Sequence, residues 1–192
     1  MPQREATDIP TDDPRPDDLK RAPSLVLVNT GPGKGKTTAA MGVVMRGVGR
    51  GWPVAVVQFL KSGKWHTGEQ KVAEQLGVDW WAMGDGFTWD SADLSQDQAL
   101  AAAAWTHAKG VIQTGDHQLV VLDEVTYPIN WAWIDIDDVV TTIRTRPEHV
   151  NVICTGRNAH AALIEIADTV SEIGDVKHAY RAGYRAKKGI DF

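Results

Sequence analysis

The sequence predicts an α/β fold: a mostly parallel β-sheet flanked by helices, in a single domain. Three observations predict it. Short apolar runs of strand length alternate with segments of helical character along most of the chain, a pattern that implies parallel strands joined by right-handed crossovers. A glycine-rich turn stands between the first apolar run and the first helical segment. An acidic pair, Asp123 and Glu124, closes the apolar run 119–122.

The composition agrees. A length of 192 residues suits one core, and 43% hydrophobic with 23% charged residues is ordinary for a soluble globular chain. The net charge of −5 argues against a general affinity for nucleic acid or an anionic membrane, though it leaves room for a local basic site. No apolar run approaches the length of a membrane span, and the first residues lack the apolar core of a signal peptide. Cys154 is alone, which excludes an intramolecular disulfide or a cysteine metal cluster and makes a reducing cytoplasm the expected location. Eight tryptophans are many for this length. Amphipathic packing accounts for most of them, and a flat ligand would account for some.

Residues 1–22 hold six acidic residues, four prolines and almost no large apolar groups. Such a stretch cannot offset its ordering entropy by burial, so it reads as a flexible arm ahead of a domain spanning 23–192. Strands are expected at 24–28, 53–60, 78–83, 119–122 and 150–155, and helices at 36–50, 68–76, 137–146 and 159–167. Ser95 and Gln98 have capping-box spacing, which predicts a helix running from there to about residue 111. His107 falls in phase with Leu100 and Ala104 on that helix and reads as a packed residue. The tail 177–188 carries Lys177, Arg181, Arg185, Lys187 and Lys188. A solvated surface is the first reading of that cluster, and an anion contact the second.

The segment Thr30-Gly31-Pro32-Gly33-Lys34-Gly35-Lys36-Thr37-Thr38 lies between an expected strand and an expected helix, the context of a P-loop. Glycines let the backbone turn its N–H groups inward as an anion nest at a positive helix end. Lys36 can reach phosphate oxygens, and the Thr37 hydroxyl can ligate magnesium. Thr30 stands where the general pattern has its first glycine. Two carboxylates at the end of a buried strand need a cation or hydrogen-bond donors nearby, so Asp123 and Glu124 are the expected magnesium side of the site. The bland alternative makes one of the pair a cap for the next segment. Together these features place the fold among P-loop NTPase-like, RecA-like domains.

The motifs TGPGKGKTTAA, VVQFLK, TGE, GFTWD, VLDEVTY, TGR, ADTVSE, VKHAY and GID occur in the order found in P-loop ATP:corrinoid adenosyltransferases. The chain resembles that family from about Leu25 to Phe192. The resemblance implies transfer of the 5′-deoxyadenosyl group of ATP to cobalt(I) of a corrinoid, with release of triphosphate. It implies that residues 31–38 hold the triphosphate and that Lys36 counters its charge. Thr37 and Glu124 would hold Mg2+, with Asp123 helping directly or through a neighbour. Phe87 and Trp89 match the aromatic pair that packs under the corrin and displaces its lower axial ligand. From spacing alone, core packing is the preferred reading of those two, and only the resemblance reverses it. It further implies a homodimer and a reductase that supplies electrons.

Arg157 follows an expected strand at the edge where parallel sheets bind ligands. Contact with phosphate or corrin and plain surface pairing are both open there. Lys61 and Glu69 fall in family-like motifs without a readable role. Pro32, Asn158 and the pair Lys187-Lys188 depart from the family pattern, and Pro32 removes one backbone donor from the cradle. Two other readings compete: a P-loop ATP hydrolase or small-molecule kinase, and a non-catalytic nucleotide- or corrinoid-binding regulator.

Overall fold

Six parallel strands form one sheet in the order β3-β2-β4-β5-β1-β6. They are β1 (Val26–Thr30), β2 (Val54–Ser62), β3 (Asp79–Gly84), β4 (Leu119–Asp123), β5 (Asn151–Thr155) and β6 (Thr169–Glu172). The helices are α1 (Lys36–Gly49), α2 (Gly68–Gln75), α3 (Leu94–Thr114), α4 (Thr126–Asn130), α5 (Ile136–Arg144) and α6 (Ala161–Glu165). This computed structural model describes residues 12–13, 15–16, 18–62, 67–84 and 94–191. Most of the expected arm, 1–22, and the pair Phe87 and Trp89 therefore lie outside the described residues.

The apolar runs are buried on both faces, as a doubly covered parallel sheet requires. Successive side chains point to opposite faces, so each run feeds two cores. Ala55, Val57, Val120, Leu122, Val152 and Cys154 join Ala104, Ala108, Ile112, Val139, Ile143 and Leu163 on one face. Val54, Val56, Leu119, Val121 and Ile153 join Ala40, Val44 and Ala73 on the other. The central strand β4 is buried throughout.

Most elements fall within a residue or two of expectation; α3 and α6 differ at their ends, and α4 and β6 were not expected. Helix α3 includes Ser95 in its first turn, so Ser95 is not the residue at which the helix begins. The helix expected at 159–167 shortens to α6, capped where His160 Nδ1 accepts the Ala162 amide hydrogen at 3.2 Å. All four residues of β6 are exposed, so no apolar alternation marks it. Parallel pairing with β1 from Leu27–Thr169 to Thr30–Glu172 makes it, and Asp168 clamps its start: Val26 N–H donates to the side-chain Asp168 Oδ2 at 2.7 Å, and Asp168 N–H donates to Val26 O at 2.8 Å. His107 packs as expected, with its ring edge-on to Trp81 at 4.6 Å between centroids.

Candidate active site

The site lies at the carboxyl edge of the sheet, where β1, β2, β4 and β5 end. Register brings Gln58 of β2 opposite Asp123 of β4, and Asn29 of β1 opposite Thr155 of β5. Ligands in parallel sheets bind at this edge because the helices that follow the strands point their positive ends there.

The glycine-rich turn connects β1 to α1, with Gly35 as the N-cap residue. Thr30, the last residue of β1, is buried, and its Oγ1 accepts the Ala159 amide proton at 3.0 Å. The turn rests on the chain leaving β6. Gly33 N–H donates to Ile173 O at 2.7 Å, and a Cβ on Gly33 would stand 2.4 Å from Gly174 O. Glycine is therefore required at Gly33 for close approach of another backbone, and its N–H points at that backbone. Gly31 is covered by the same segment. Pro32 and Thr38 are exposed. Lys34 leans away from the turn to Asp191 at 2.8 Å.

Lys36 Nζ donates to Gly33 O at 2.6 Å, so the ammonium already sits over the loop. Partial burial pushes its pKa down, and the neighbouring Arg157 charge adds to that. Glu124 and Asp123 act in the opposite sense. A cation held in this way gains most from an arriving polyanion.

Asp123 is fully buried. Its Oδ1 accepts protons from Thr37 Oγ1 and Thr155 Oγ1, both at 2.8 Å, and its Oδ2 accepts from Gln58 Nε2 at 2.9 Å. These donors hold its charge in place at low dielectric. Glu124, half-buried, has φ 64°, a left-handed backbone that a glutamate adopts only when its surroundings impose it. Its N–H donates to Thr155 Oγ1 at 2.9 Å, which fixes where the Glu124 residue turns. Tyr127 stands close by, its phenol pushed up by burial and then by the Glu124 charge.

Arg157 is placed by its backbone. Its carbonyl accepts from Thr126 Oγ1 at 2.7 Å and from Asn130 Nδ2 at 3.2 Å. Gly156 before it has φ 139°, and a Cβ there would lie 2.0 Å from Thr126 Oγ1. Asn158 after it has φ 52°, a conformation asparagine tolerates well. Arg157, Lys34 and Pro32 share a cavity of about 600 Å3 with His178, Tyr180, and Arg185 of the tail. The structure thus brings Lys36, Thr37, Asp123, Glu124 and Arg157 together. Sequence reasoning missed Gln58, Thr155 and Thr126, although they sit inside the motifs VVQFLK, TGR and VLDEVTY.

Among the described residues, no three His, Cys, Asp or Glu side chains form a group that would hold a metal ion on their own. A donor set of one hydroxyl and one carboxylate suits magnesium, which keeps several waters and takes phosphate oxygens as further ligands. The residues present fit that ion.

A P-loop cradle with a buried Asp123 at the end of β4, set on a parallel six-stranded sheet, defines a P-loop NTPase-like protein. The family model "ATP:corrinoid adenosyltransferase BtuR/CobO/CobP" matches residues 22–192, and the chain belongs to that family of enzymes. It is 44% identical over 168 residues to the corrinoid adenosyltransferase of Escherichia coli K12, covering 88% of this chain and 85% of that one. Identity and coverage are the same for "Corrinoid adenosyltransferase CobA" of Salmonella typhimurium. Among solved structures, the flagellar accessory protein FlaH of Methanocaldococcus jannaschii is similar in fold alone. Its TM-score is 0.52 at 13% identity, covering 79% of this chain and 71% of that one.

Proposed function

We propose that this chain transfers the 5′-deoxyadenosyl group of ATP to cobalt(I) of a corrinoid substrate, cobalamin or cobyrinic acid diamide, and releases triphosphate. The observation that carries this reading is the cluster of Lys36, Thr37 and Asp123 at the sheet edge, in a chain whose family match spans residues 22–192. The substrate's cobalt supplies the electron pair of the new cobalt–carbon bond. The bond from C5′ to oxygen breaks, and its electrons leave on the triphosphate. The nucleophile has no proton to lose, so no general base is needed.

The chain's own work is alignment and charge stabilisation. Lys36 exchanges the Gly33 carbonyl for triphosphate oxygens, and Arg157 adds a second positive charge within electrostatic reach. Thr37 and Glu124 hold Mg2+, and Asp123 acts through Thr37, in keeping with the donors already gathered on its carboxylate. When bound, the ion neutralises charge on the leaving group. Phe87 and Trp89 take the lower face of the corrin. Residues 23–192 form the catalytic domain and 1–22 an arm. The protein acts in the cytoplasm as a homodimer, with a reductase supplying electrons to cobalt. Among the described residues, no helix is long and apolar enough to cross a membrane.

Incubation of ATP with chemically reduced cobalamin tests the reading. Adenosylcobalamin and inorganic triphosphate should appear in equal amounts. ADP formed at the same rate with or without corrinoid, and no cobalt–carbon product, would sink it.

A further inference from the structure

We propose that Gln58 is a positioning residue of the nucleotide site: with Trp80 it holds the Asp123 carboxylate in the orientation that aims the Thr37 hydroxyl. The inference rests on the assignment of Thr37 to the magnesium side of the site.

Gln58 is the polar exception in β2. Val54, Ala55, Val56, Val57 and Phe59 around it are buried and apolar, and Gln58 itself is only 1% exposed. An amide there costs stability unless its groups are hydrogen-bonded. Both ends are. Nε2 donates to Asp123 Oδ2 at 2.9 Å, and Oε1 accepts from Trp80 Nε1 at 3.2 Å. An indole N–H only donates, so Trp80 dictates which end of the amide faces it. The carbonyl must face Trp80, and the NH2 group must then face the carboxylate.

The orientation propagates. With Oδ2 fixed by Gln58, Oδ1 is directed at Thr37 and Thr155, each 2.8 Å away. Thr37 gives its proton to Asp123, which turns the lone pairs of its oxygen elsewhere, the state a metal-binding hydroxyl needs. Thr155 gives its proton to Asp123 and accepts the Glu124 N–H at 2.9 Å, so the same carboxylate also steadies the turn that carries Glu124. A file of hydrogen bonds runs from Trp80 on the edge strand β3 to the two residues proposed to hold the ion. Packing alone needs no such polarity at Gln58, since an apolar side chain would fill the same strand position.

The test measures ATP binding by the full chain, with and without Mg2+, in wild type, Gln58→Leu and Trp80→Phe, with thermal unfolding as the check on folding. ATP affinity without Mg2+ should be unchanged in both variants. The Mg2+ concentration for half-saturation of the ATP complex should rise on the order of 10- to 100-fold in Gln58→Leu, the usual effect of removing a group that orients a metal ligand. It should rise about five-fold in Trp80→Phe, where one hydrogen bond is lost. The part of the tryptophan emission that Trp80→Phe removes should respond when Mg2+ joins the wild-type ATP complex, and should not respond in Gln58→Leu. A wild-type Mg2+ requirement in folded Gln58→Leu would overturn the inference and leave Gln58 a packing residue. If Gln58→Leu does not fold, Trp80→Phe decides by the same criterion. ATP binding by wild type that ignores Mg2+ would overturn the metal assignment, and this inference with it.

Discussion

The Thr30 hydroxyl accepts the Ala159 amide proton at 3.0 Å, which ties the start of the phosphate cradle to the turn that carries Arg157. A glycine at Thr30 would leave the two turns unconnected at this point. The departure from the general P-loop pattern therefore has a structural role: it sets the cradle and a second cation in one frame.

Thr30→Val keeps the shape of the side chain and removes the acceptor. The expected cost is about 1 kcal/mol, the net worth of one such hydrogen bond, read as a lower urea midpoint with an unchanged slope. ATP affinity should fall slightly as well, because one tie between the cradle and the Arg157 turn is lost while the Gly156 N–H to Asn29 O bond remains. An unchanged midpoint would show that the Ala159 amide finds another partner.

Lys36→Met should abolish turnover with the fold retained, because the leaving triphosphate loses its nearest fixed cation. The pH dependence has a definite sign. Burial lowers the Lys36 pKa in the folded state below the ordinary lysine value of 10.5. Between the two values the unfolded chain binds more protons, so the contribution of Lys36 to stability rises with pH through that window. The stability difference between wild type and Lys36→Met should shift in favour of wild type as pH rises towards 10.5. ATP favours the charged form, so binding in the same alkaline window should take up protons, measured by calorimetry in buffers of different ionisation heat. Proton uptake of the same size in Lys36→Met would assign the effect to another group.

Gly156→Ala should destabilise the protein by roughly 1–3 kcal/mol, the range for forcing extra atoms into a packed site. The new Cβ would fall 2.0 Å from Thr126 Oγ1 on a backbone with φ 139°. Adding Thr126→Ala should recover part of the loss, because it removes the nearest atom but not the backbone strain. Urea unfolding of the single and double variants measures both. A double variant no better than Gly156→Ala would place the whole cost in the backbone.

Trp89→Ala separates the two readings of that residue. Truncating an aromatic that fills a core costs about 3–5 kcal/mol. If Trp89 instead displaces the lower cobalt ligand, the variant should remain folded and bind ATP. It should fail when cobalt(II) must be reduced on the enzyme, and recover partly with cobalt(I) supplied already reduced. Electron-spin spectra of cob(II)alamin bound with ATP should show a four-coordinate species in wild type and much less in the variant. Equal amounts in both would remove Trp89 from the corrin site.

The features legible in the sequence were local in origin. Strand and helix runs are visible because burial on a two-residue or helical period leaves its mark in neighbouring side chains. The cradle from Thr30 to Thr38 and the pair Asp123 and Glu124 were legible for the same reason, since each is contiguous and its flanking elements confirm its context. Strand β6 was not legible, because an exposed edge strand is paired through its backbone and shows no apolar alternation, and its one side-chain tie, from Asp168, depends on where Val26 lies. The roles of Gln58, Thr155 and Trp80 were also invisible. They converge on Asp123 directly or through one another only because strand order and register bring β2, β3, β4 and β5 to the same edge of the sheet. Pairwise geometry between distant segments also decided that Gly33 is small so that Gly174 can approach it. Such contacts depend on which backbone lies beside which, and that is settled only when the whole sheet assembles.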